Sequence, residues 1–283
     1  MTKKTTSKAT RGKSSAHPFG HYTATGLGIF PLFLVKIGLG RGGFKNHLKK
    51  LWMVNSPSKI LDINYHGLKI RLMPDRNRID STIAFSSRKS EKKELEWIEK
   101  QIQATKNSIF IDIGANIGYY SLMAAKFGAK KVLAVEPSPD LFKRLEENIA
   151  LNNFGDTIHP IEVGLGDKEG TFDLNICSQS EGGSSMVGDT PADKTVKIKV
   201  MTLKKVIEEL KLTKIDVLKI DIEGMEDRVL FPFFEMCPKQ FWPKLVIIEE
   251  NKTWWEKDIY TWMLENGYHL SDNTRSNKIL TLK

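Results

Sequence analysis

The chain has 283 residues, a length that suits one α/β domain with an extension or two small domains. Apolar residues make up 40% and charged residues 27% of the sequence, which is ordinary for a globular protein and excludes a chain that is disordered throughout. The two cysteines, Cys177 and Cys237, form no CxxC pair, and no His/Cys cluster has metal-ligand spacing. We therefore expect a cytoplasmic protein without a disulfide framework or a bound metal.

The net charge of +9 is concentrated at the N-terminus. Residues 1–58 hold ten Lys and Arg and neither Asp nor Glu, so the rest of the chain is close to neutral. Such a basic arm suits anionic lipid, nucleic acid or no partner at all, because short charged flanks are often simply solvated. The uncharged run 17–35 contains too few apolar residues to span a bilayer, so we predict no transmembrane segment and at most peripheral membrane contact.

The first 107 residues contain four predicted segments. Residues 1–16 are rich in Lys, Ser and Thr and are expected to be disordered. Phe44–Val54 reads as a short basic helix, and a β-hairpin is predicted from the alternating stretches Lys59–Tyr65 and Leu68–Met73. An amphipathic helix is predicted over Ser90–Thr105, with Ser90 as its cap.

From Ser108 onward, short apolar runs alternate with helical segments, which indicates a parallel sheet wrapped by helices. The predicted core strands are Ser108–Ile113, Lys131–Val135, His159–Val163, Ile215–Ile220 and Leu245–Glu249. The predicted helices between them are Tyr119–Lys126, Pro139–Asn152, Leu203–Leu210 and Asp227–Phe234. A closing antiparallel hairpin is expected from Tyr268–Leu270 and Lys278–Leu282.

These elements divide the chain into three predicted parts. Residues 1–58 form a basic extension, residues 59–107 form the hairpin and lead-in helix, and residues 108–283 form an α/β core. The oligomeric state stays open.

The strongest local signal is the segment FIDIGANIGYYS, in which Asp112, Gly114, Asn116 and Gly118 alternate between a strand and a helix. The glycines allow a tight turn and a close ligand approach, and the following helix presents free N–H groups toward that ligand. The loop differs from the GxGxxG dinucleotide fingerprint, and Asp112 would repel a pyrophosphate. S-adenosylmethionine carries an ammonium and a sulfonium and no phosphate, so the charges favour it as the cofactor.

A second acid, Glu136, ends the next predicted strand, 24 residues after Asp112. An acid at this position of a nucleotide-binding α/β sheet can accept both ribose hydroxyls. The sequence therefore predicts that Glu136 belongs to the same cofactor site.

Five segments together resemble the FkbM-type methyltransferase family: FIDIGANIGYYS, AVEPSP, GLGDKEG, the GGSS loop at residues 182–185, and KIDIEGMEDRVL. The resemblance covers roughly residues 61–249. It implies a class I methyltransferase fold, which is Rossmann-like, with a mostly parallel seven-stranded sheet and helices on both faces. It also implies S-adenosylmethionine as donor and O-methylation of a sugar, glycan or other small metabolite.

The resemblance also implies that Asp221 and Glu223 are site acids and that Asp167 is a neighbour of the adenine. A ligand on an open α/β sheet lies beyond the carboxyl ends of the strands, which favours Asp221 or Glu223 as proton acceptor. The alternative for Glu223 is a role in capping the helix that begins near Met225. Trp254 and Trp255 are candidates for the floor of a sugar pocket, or they are helix-packing residues.

Two other functions remain open from the sequence. One is an RNA methyltransferase that uses the basic arm, for which we find no recognisable RNA-binding module in the sequence. The other is a binding protein that retains the cofactor pocket without catalysis.

Overall fold

A computed structural model describes residues 17–87, 91–176, 194–250 and 253–283. Its strands are β1 (Leu61–Tyr65), β2 (Leu68–Leu72), β3 (Ile109–Ile113), β4 (Lys131–Val135), β5 (Ile158–Ile161), β6 (Gly164–Leu165), β7 (Gly170–Ile176), β8 (Lys194–Met201), β9 (Val217–Ile220), β10 (Leu245–Glu249), β11 (Tyr268–Asn273) and β12 (Asn277–Leu282). Its helices are α1 (Ile29–Lys36), α2 (Phe44–Asn55), α3 (Arg78–Phe85), α4 (Lys92–Gln103), α5 (Tyr119–Lys126), α6 (Pro139–Leu151), α7 (Leu203–Glu209), α8 (Glu226–Met236) and α9 (Ile259–Glu265).

The central sheet has seven strands in the order β11-β12-β10-β9-β3-β4-β5. The five strands from β10 to β5 are parallel, and β12 is antiparallel to both of its neighbours. The first strand of the sheet along the chain, β3, lies beside the fourth, β9, so the order of strand addition reverses between them. This arrangement confirms the predicted class I α/β fold, and it places the topological switch point between β3 and β9.

Helices cover both faces of the sheet because its strand residues alternate between two apolar cores. Phe110 and Val132 belong to one core, together with side chains of α2 to α6. Ile111 and Leu133, their neighbours along the strands, belong to the other core, with side chains of α7, α8 and α9. Strands buried on both faces read as continuous apolar runs, which is why the sequence revealed them.

The extension packs against the core from residue 17 onward. Leu48 and Trp52 of α2 are buried in the same apolar core as β3. Asp62 accepts hydrogen bonds from the backbone N–H groups of Gly20 (2.8 Å) and Tyr22 (3.3 Å) and is paired with the buried Arg71 at 2.7 Å. Burial would raise the pKa of Asp62, but Arg71 and these N–H groups hold it below its usual value. A buried, fully hydrogen-bonded pair of this kind fixes the path of residues 17–22.

Several elements were absent from the prediction. Helix α3 is short, and it begins at Asn77, whose side chain accepts from the N–H groups of Ile79 and Asp80. Helices α1 and α9 and the small sheet β6-β8-β7 were also missed. Strand β7 carries a mostly exposed, polar sequence with little alternation to detect.

Two predictions fall on residues outside the described ranges, namely the disorder of residues 1–16 and the cap at Ser90. Among the described residues, no helix combines the length and apolar character that crossing a membrane requires.

Candidate cofactor and acceptor site

The loop after β3 turns sharply, and its conformation depends on three residues with positive φ. These are Gly114 (77°), Asn116 (54°) and Gly118 (91°). The N–H of Gly114 donates to the carbonyl of Val135 at the end of β4, at 3.0 Å. A Cβ on Gly114 would collide with the carbonyl oxygen of Asp221, which follows β9. The loop is therefore held closely between the ends of β4 and β9, at the switch point of the sheet.

Glu136, directly after β4, is bonded to this loop. It is 5% exposed, and its two carboxylate oxygens accept the N–H groups of Asn116 (2.8 Å) and Ser138 (2.9 Å). Burial raises the pKa of Glu136 to about 7, against the lowering effect of these hydrogen bonds. Each oxygen can accept one further hydrogen bond, so the carboxylate retains the capacity to bind a hydroxyl.

The loop is also joined to α3. The amide of Asn77, the cap of that helix, donates to Asn116 Oδ1 at 2.8 Å, and both residues are buried. The segment that leads into the core therefore supports the cofactor loop directly. The sequence analysis assigned no role to Asn77.

The centre of the site is a buried ammonium, that of Lys219 on β9. Its Nζ lies 3.3 Å from Asp221 Oδ2 and 3.9 Å from Asp112 Oδ1, and 4.8 Å from the centroid of the Tyr120 ring. Burial opposes the charged form of Lys219, but Asp221 and Asp112 raise its pKa above the usual value. The three charges therefore stabilise one another at the carboxyl ends of β3 and β9.

Asp112 is 1% exposed and incompletely satisfied. Its Oδ2 accepts from Ser121 Oγ at 2.6 Å, whereas its buried Oδ1 has no hydrogen-bond partner within the described residues. Burial raises the pKa of this carboxyl, and Lys219 opposes that rise. A buried acceptor without a donor is costly, so this oxygen marks a place where a ligand or a water donor fits.

The loop after β9 presents its acids through an unusual backbone. Glu223 (φ 56°) and Gly224 (φ 97°) both lie in the left-handed region. The N–H groups of Ile222 (2.9 Å) and Gly224 (3.4 Å) donate to Glu226 Oε1, so Glu226 is the acid that holds the start of α8. Its other oxygen accepts from the indole N–H of Trp255 at 2.7 Å. Glu226 therefore joins this loop to the start of α8, and the side chain of Glu223 forms no hydrogen bond to α8 within the described residues.

Glu249, the last residue of β10, adds a further carboxyl to the cluster. Burial, followed by the charges of Asp221 and Glu223, raises the pKa of Glu249 to about 8. Its Oε2 atom is buried and, among the described residues, without a hydrogen-bond partner. The pKa of Glu223 is raised as well, because burial and the charge of Asp221 outweigh the lowering effect of Arg78. The site is therefore a strongly acidic environment around one ammonium.

The family model described as the methyltransferase FkbM domain matches residues 112–270, more than half of the chain. The chain belongs to this FkbM methyltransferase family. The match begins at Asp112 and contains the loops after β3, β4, β9 and β10, which form the site. The sequence prediction of an FkbM-type methyltransferase is confirmed.

Curated relatives align with part of this FkbM protein. The methyltransferase sdnD of Sordaria araneosa is 32% identical over 155 residues, which cover 44% of this chain and 60% of that protein. The hexuronic acid methyltransferase AglP of Haloferax volcanii is 28% identical over 128 residues, which cover 45% of this chain and 51% of that protein. A solved S-adenosylmethionine-dependent methyltransferase from Agrobacterium tumefaciens aligns with a TM-score of 0.43 at 14% identity, over 78% of this chain and 68% of that one.

Most residues that the sequence nominated lie together in the FkbM site. Asp112, Glu136 and the three loop residues Gly114, Asn116 and Gly118 surround the end of β3, and Asp221 meets Asp112 through Lys219. Asp167 is exposed in the turn after β6, where it forms no hydrogen bond or ion pair within the described residues, and its place beside the adenine stays a prediction. The GGSS loop at residues 182–185 falls outside the described ranges.

Lys219 was not predicted to belong to the site. It interrupts an otherwise apolar central strand, and a lysine in such a position must find a partner for its charge. That interruption was the available signal. Glu249 follows a predicted strand whose carboxyl end is expected to lie beside a ligand, but no role was predicted for it, because its approach to the other acids depends on the adjacency of β10 and β9.

Proposed function

We propose that this chain is an S-adenosylmethionine-dependent methyltransferase that methylates an oxygen of a sugar, a glycan or another small metabolite. The observation that carries the proposal is the charge of the site. Within the described residues, the four carboxyl groups of Asp112, Asp221, Glu223 and Glu249 lie near the ammonium of Lys219. A site of this composition favours a cationic ligand and disfavours a polyphosphate.

The residues present fit the cofactor in three ways. The loop from Gly114 to Gly118 lies at the carboxyl end of β3, at the switch point of the sheet, where a ligand of an open α/β sheet binds. Asp112 Oδ1 offers a buried acceptor that lacks a donor, and Glu136 retains acceptor capacity for ribose hydroxyls. When bound, S-adenosylmethionine supplies an electrophilic methyl group on a sulfonium.

The remaining chemistry falls to the chain. A hydroxyl acceptor must be aligned with the methyl group, and alignment alone is worth effective molarities of about 10⁵ to 10⁸ M. It must also lose a proton, and a positioned base adds roughly 10² to 10⁴ in rate. Glu223 is the stronger candidate base, because its raised pKa favours proton acceptance, whereas Asp221 is engaged by Lys219.

The acceptor class rests on the family and on one relative's name. AglP of Haloferax volcanii is named as a hexuronic acid methyltransferase, and a sugar acceptor is consistent with the exposed indole of Trp254 beside Gly224. Aromatic faces of this kind pack against the apolar face of a sugar ring.

Calorimetry with S-adenosylmethionine tests the cofactor site. Asp112→Ala and Glu136→Ala should each weaken binding. Asp173 is an exposed acid of β7 that is paired with Lys197, so the control variant Asp173→Ala should leave the affinity unchanged. Unchanged affinity in both site variants would refute the placement of the cofactor.

Turnover with a labelled donor tests the reaction. Purified protein is incubated with a panel of sugars, uronic acids and glycans, and mass spectrometry follows which compound gains a methyl group. Glu223→Gln should depress turnover more than cofactor affinity. Binding of the cofactor without methylation of any panel member or cell-extract component would instead support the non-catalytic alternative.

A further inference from the structure

The helices of the N-terminal extension expose an unusual amount of apolar surface. Val54 is 85% exposed and Leu27 is 75% exposed, and Phe30 and Phe33 are each 54% exposed. Nine of the fourteen large exposed apolar residues of the described chain lie between positions 27 and 54. Contiguous exposed apolar patches are rare on monomeric proteins, and larger ones mark interaction sites.

This surface is additional to the side of each helix that packs on the protein. In α1, Pro31 is buried and Leu34 is half-buried against the core, while Ile29 and Phe33 on the opposite side are exposed. The helix is therefore apolar around most of its circumference. A helix that served only to cover the core would carry polar residues on its outer side.

Helix α2 repeats the pattern. Its buried side is formed by Leu48 and Trp52. Its exposed apolar residues Phe44, Leu51 and Val54 form a stripe that adjoins this buried side.

The two stripes belong to one surface because the helices lie side by side and antiparallel. Gly28 immediately precedes α1, and Asn55 ends α2. A Cβ atom built on Gly28 would lie 3.5 Å from the carbonyl oxygen of Asn55. The start of α1 therefore adjoins the end of α2, which brings Leu27 near the level of Val54. We call this surface the α1–α2 face; its members are Leu27, Ile29, Phe30, Phe33, Leu51 and Val54.

The charge around the α1–α2 face has a single sign. Lys36, Arg41 and Lys50 are exposed beside it, and the segment 17–58 that carries it contains no acid. Residues 1–16 of the sequence add five more Lys and Arg. Basic residues close to an anionic membrane contribute about 1 kcal/mol each, and they act together with inserted apolar side chains.

We propose that the α1–α2 face docks on the surface of a lipid bilayer that contains anionic headgroups. Phe30 and Phe33 insert among the acyl chains, and the neighbouring Lys and Arg contact the phosphates. A second copy of the chain fits this face poorly, because a symmetric dimer would bring identical cations together across the interface. The proposal is independent of the methyl acceptor.

Vesicle flotation of the full chain tests this docking. The protein is mixed with vesicles of phosphatidylcholine alone or of phosphatidylcholine with phosphatidylglycerol, at low and high salt. We expect flotation with the anionic vesicles, weakened by salt. Replacement of both phenylalanines, Phe30→Ser with Phe33→Ser, should lower the vesicle affinity by about tenfold or more, since two large apolar side chains no longer insert.

Matched controls make the outcome decisive. Phe172→Ser removes an exposed phenylalanine of β7 that lies outside the face and should leave flotation unchanged. The melting temperature and the affinity for S-adenosylmethionine of the double variant show that it is folded. Absence of flotation with both vesicle types overturns the proposal, as does equal flotation of the double variant. A lipid-independent dimer that the double variant abolishes also overturns it, in favour of a second copy.

Discussion

Lys219 places one cation among the acids of the candidate site. From the sequence, the carboxylate of Asp112 was expected to favour a cationic ligand. In the structure, the ammonium of Lys219 already lies 3.9 Å from Asp112 Oδ1. The preference for a cationic ligand therefore arises from the whole group of acids, which outnumber Lys219, and not from Asp112 alone. The distinction depends on the pairing of β3 with β9, which brings Lys219 beside Asp112 and which no local sequence pattern shows.

Replacement of Lys219 by methionine should lower the free energy of unfolding by up to about 3 kcal/mol, because it leaves Asp112 buried without a cation. The folded-state pKa of Asp112, already raised, rises further in the variant. A carboxyl whose pKa is higher in the folded than in the unfolded state destabilises the fold as the pH rises. The loss of unfolding free energy in the variant should therefore be larger at about pH 8 than at about pH 6. Chemical denaturation at both pH values measures this difference.

Lys197→Met is the matched control, since its side chain is 77% exposed. It should change the free energy of unfolding by less than about 0.5 kcal/mol at either pH. Equal losses in the two lysine variants would show that the cluster around Lys219 has no special role in stability.

We expect Glu249 to link the binding of a cationic cofactor to proton release. Its pKa of about 8 means that the carboxyl is mostly protonated near pH 7 in the free protein. A cationic ligand favours the carboxylate, so S-adenosylmethionine binding near pH 7 should release a proton from Glu249, and this contribution to affinity should grow as pH rises toward 8. Calorimetry in buffers of different ionisation enthalpy measures the released protons.

Glu249→Gln should remove that contribution. Glu250→Gln, at an exposed neighbour paired with Lys278, should retain it. If the wild type and Glu249→Gln release the same number of protons, Glu249 does not respond to the ligand.

At the scale of elements, the loop between β3 and α5 depends on close backbone contact. Gly114 and Gly128 share a positive φ, at 77° and 96°, but only Gly114 has a neighbour within reach of a Cβ. Gly128→Ala should cost about 1–2 kcal/mol from backbone strain alone. Gly114→Ala should cost about 1–3 kcal/mol more, because the added methyl meets the carbonyl of Asp221.

Urea denaturation of both alanine variants checks this difference. Equal losses of stability would mean that the loop moves away from β9 without cost, and that its close approach to Asp221 is not required.

The elements that the sequence predicted well are those whose own residues specify them. Strands β4 and β10 and helix α5 have the predicted bounds. The first two are apolar runs between loop residues, and the third follows a glycine turn. Helix α3 has eight residues, as α5 does, but it escaped prediction because partners distant in the chain support it. Its stability comes from the Asn77 cap and from a buried ion pair between Asp80 and Arg144 of α6, a partner distant in the chain.

At the scale of the whole molecule, the extension and the core share one apolar interior. Trp52 of α2 is completely buried in the cluster that contains Phe110 of β3. The predicted boundary at residue 58 therefore marks a change of composition, and α2 on its N-terminal side contributes to the same core.

Trp52→Ala should lower the free energy of unfolding by about 3–5 kcal/mol, as large-to-small substitutions in a core do. Unfolding should remain a single transition by circular dichroism and by fluorescence, because the helix and the sheet share a core. Trp254→Ala, at a residue 47% exposed, should cost less than about 1 kcal/mol. Two separate transitions in either variant would indicate that the extension is an independent unit.

The sequence by itself determined the α/β class, the FkbM family and the position of the loop between β3 and α5. Each of these depends on residues that are close in the chain, such as the apolar runs and the spacing from Asp112 to Gly118. The tertiary structure alone decided how the acids group around Lys219, which acid holds α8, and that α1 and α2 retain an exposed apolar face. These features depend on strand adjacency and on which side of a helix the core covers, and such relations between distant residues leave no local pattern.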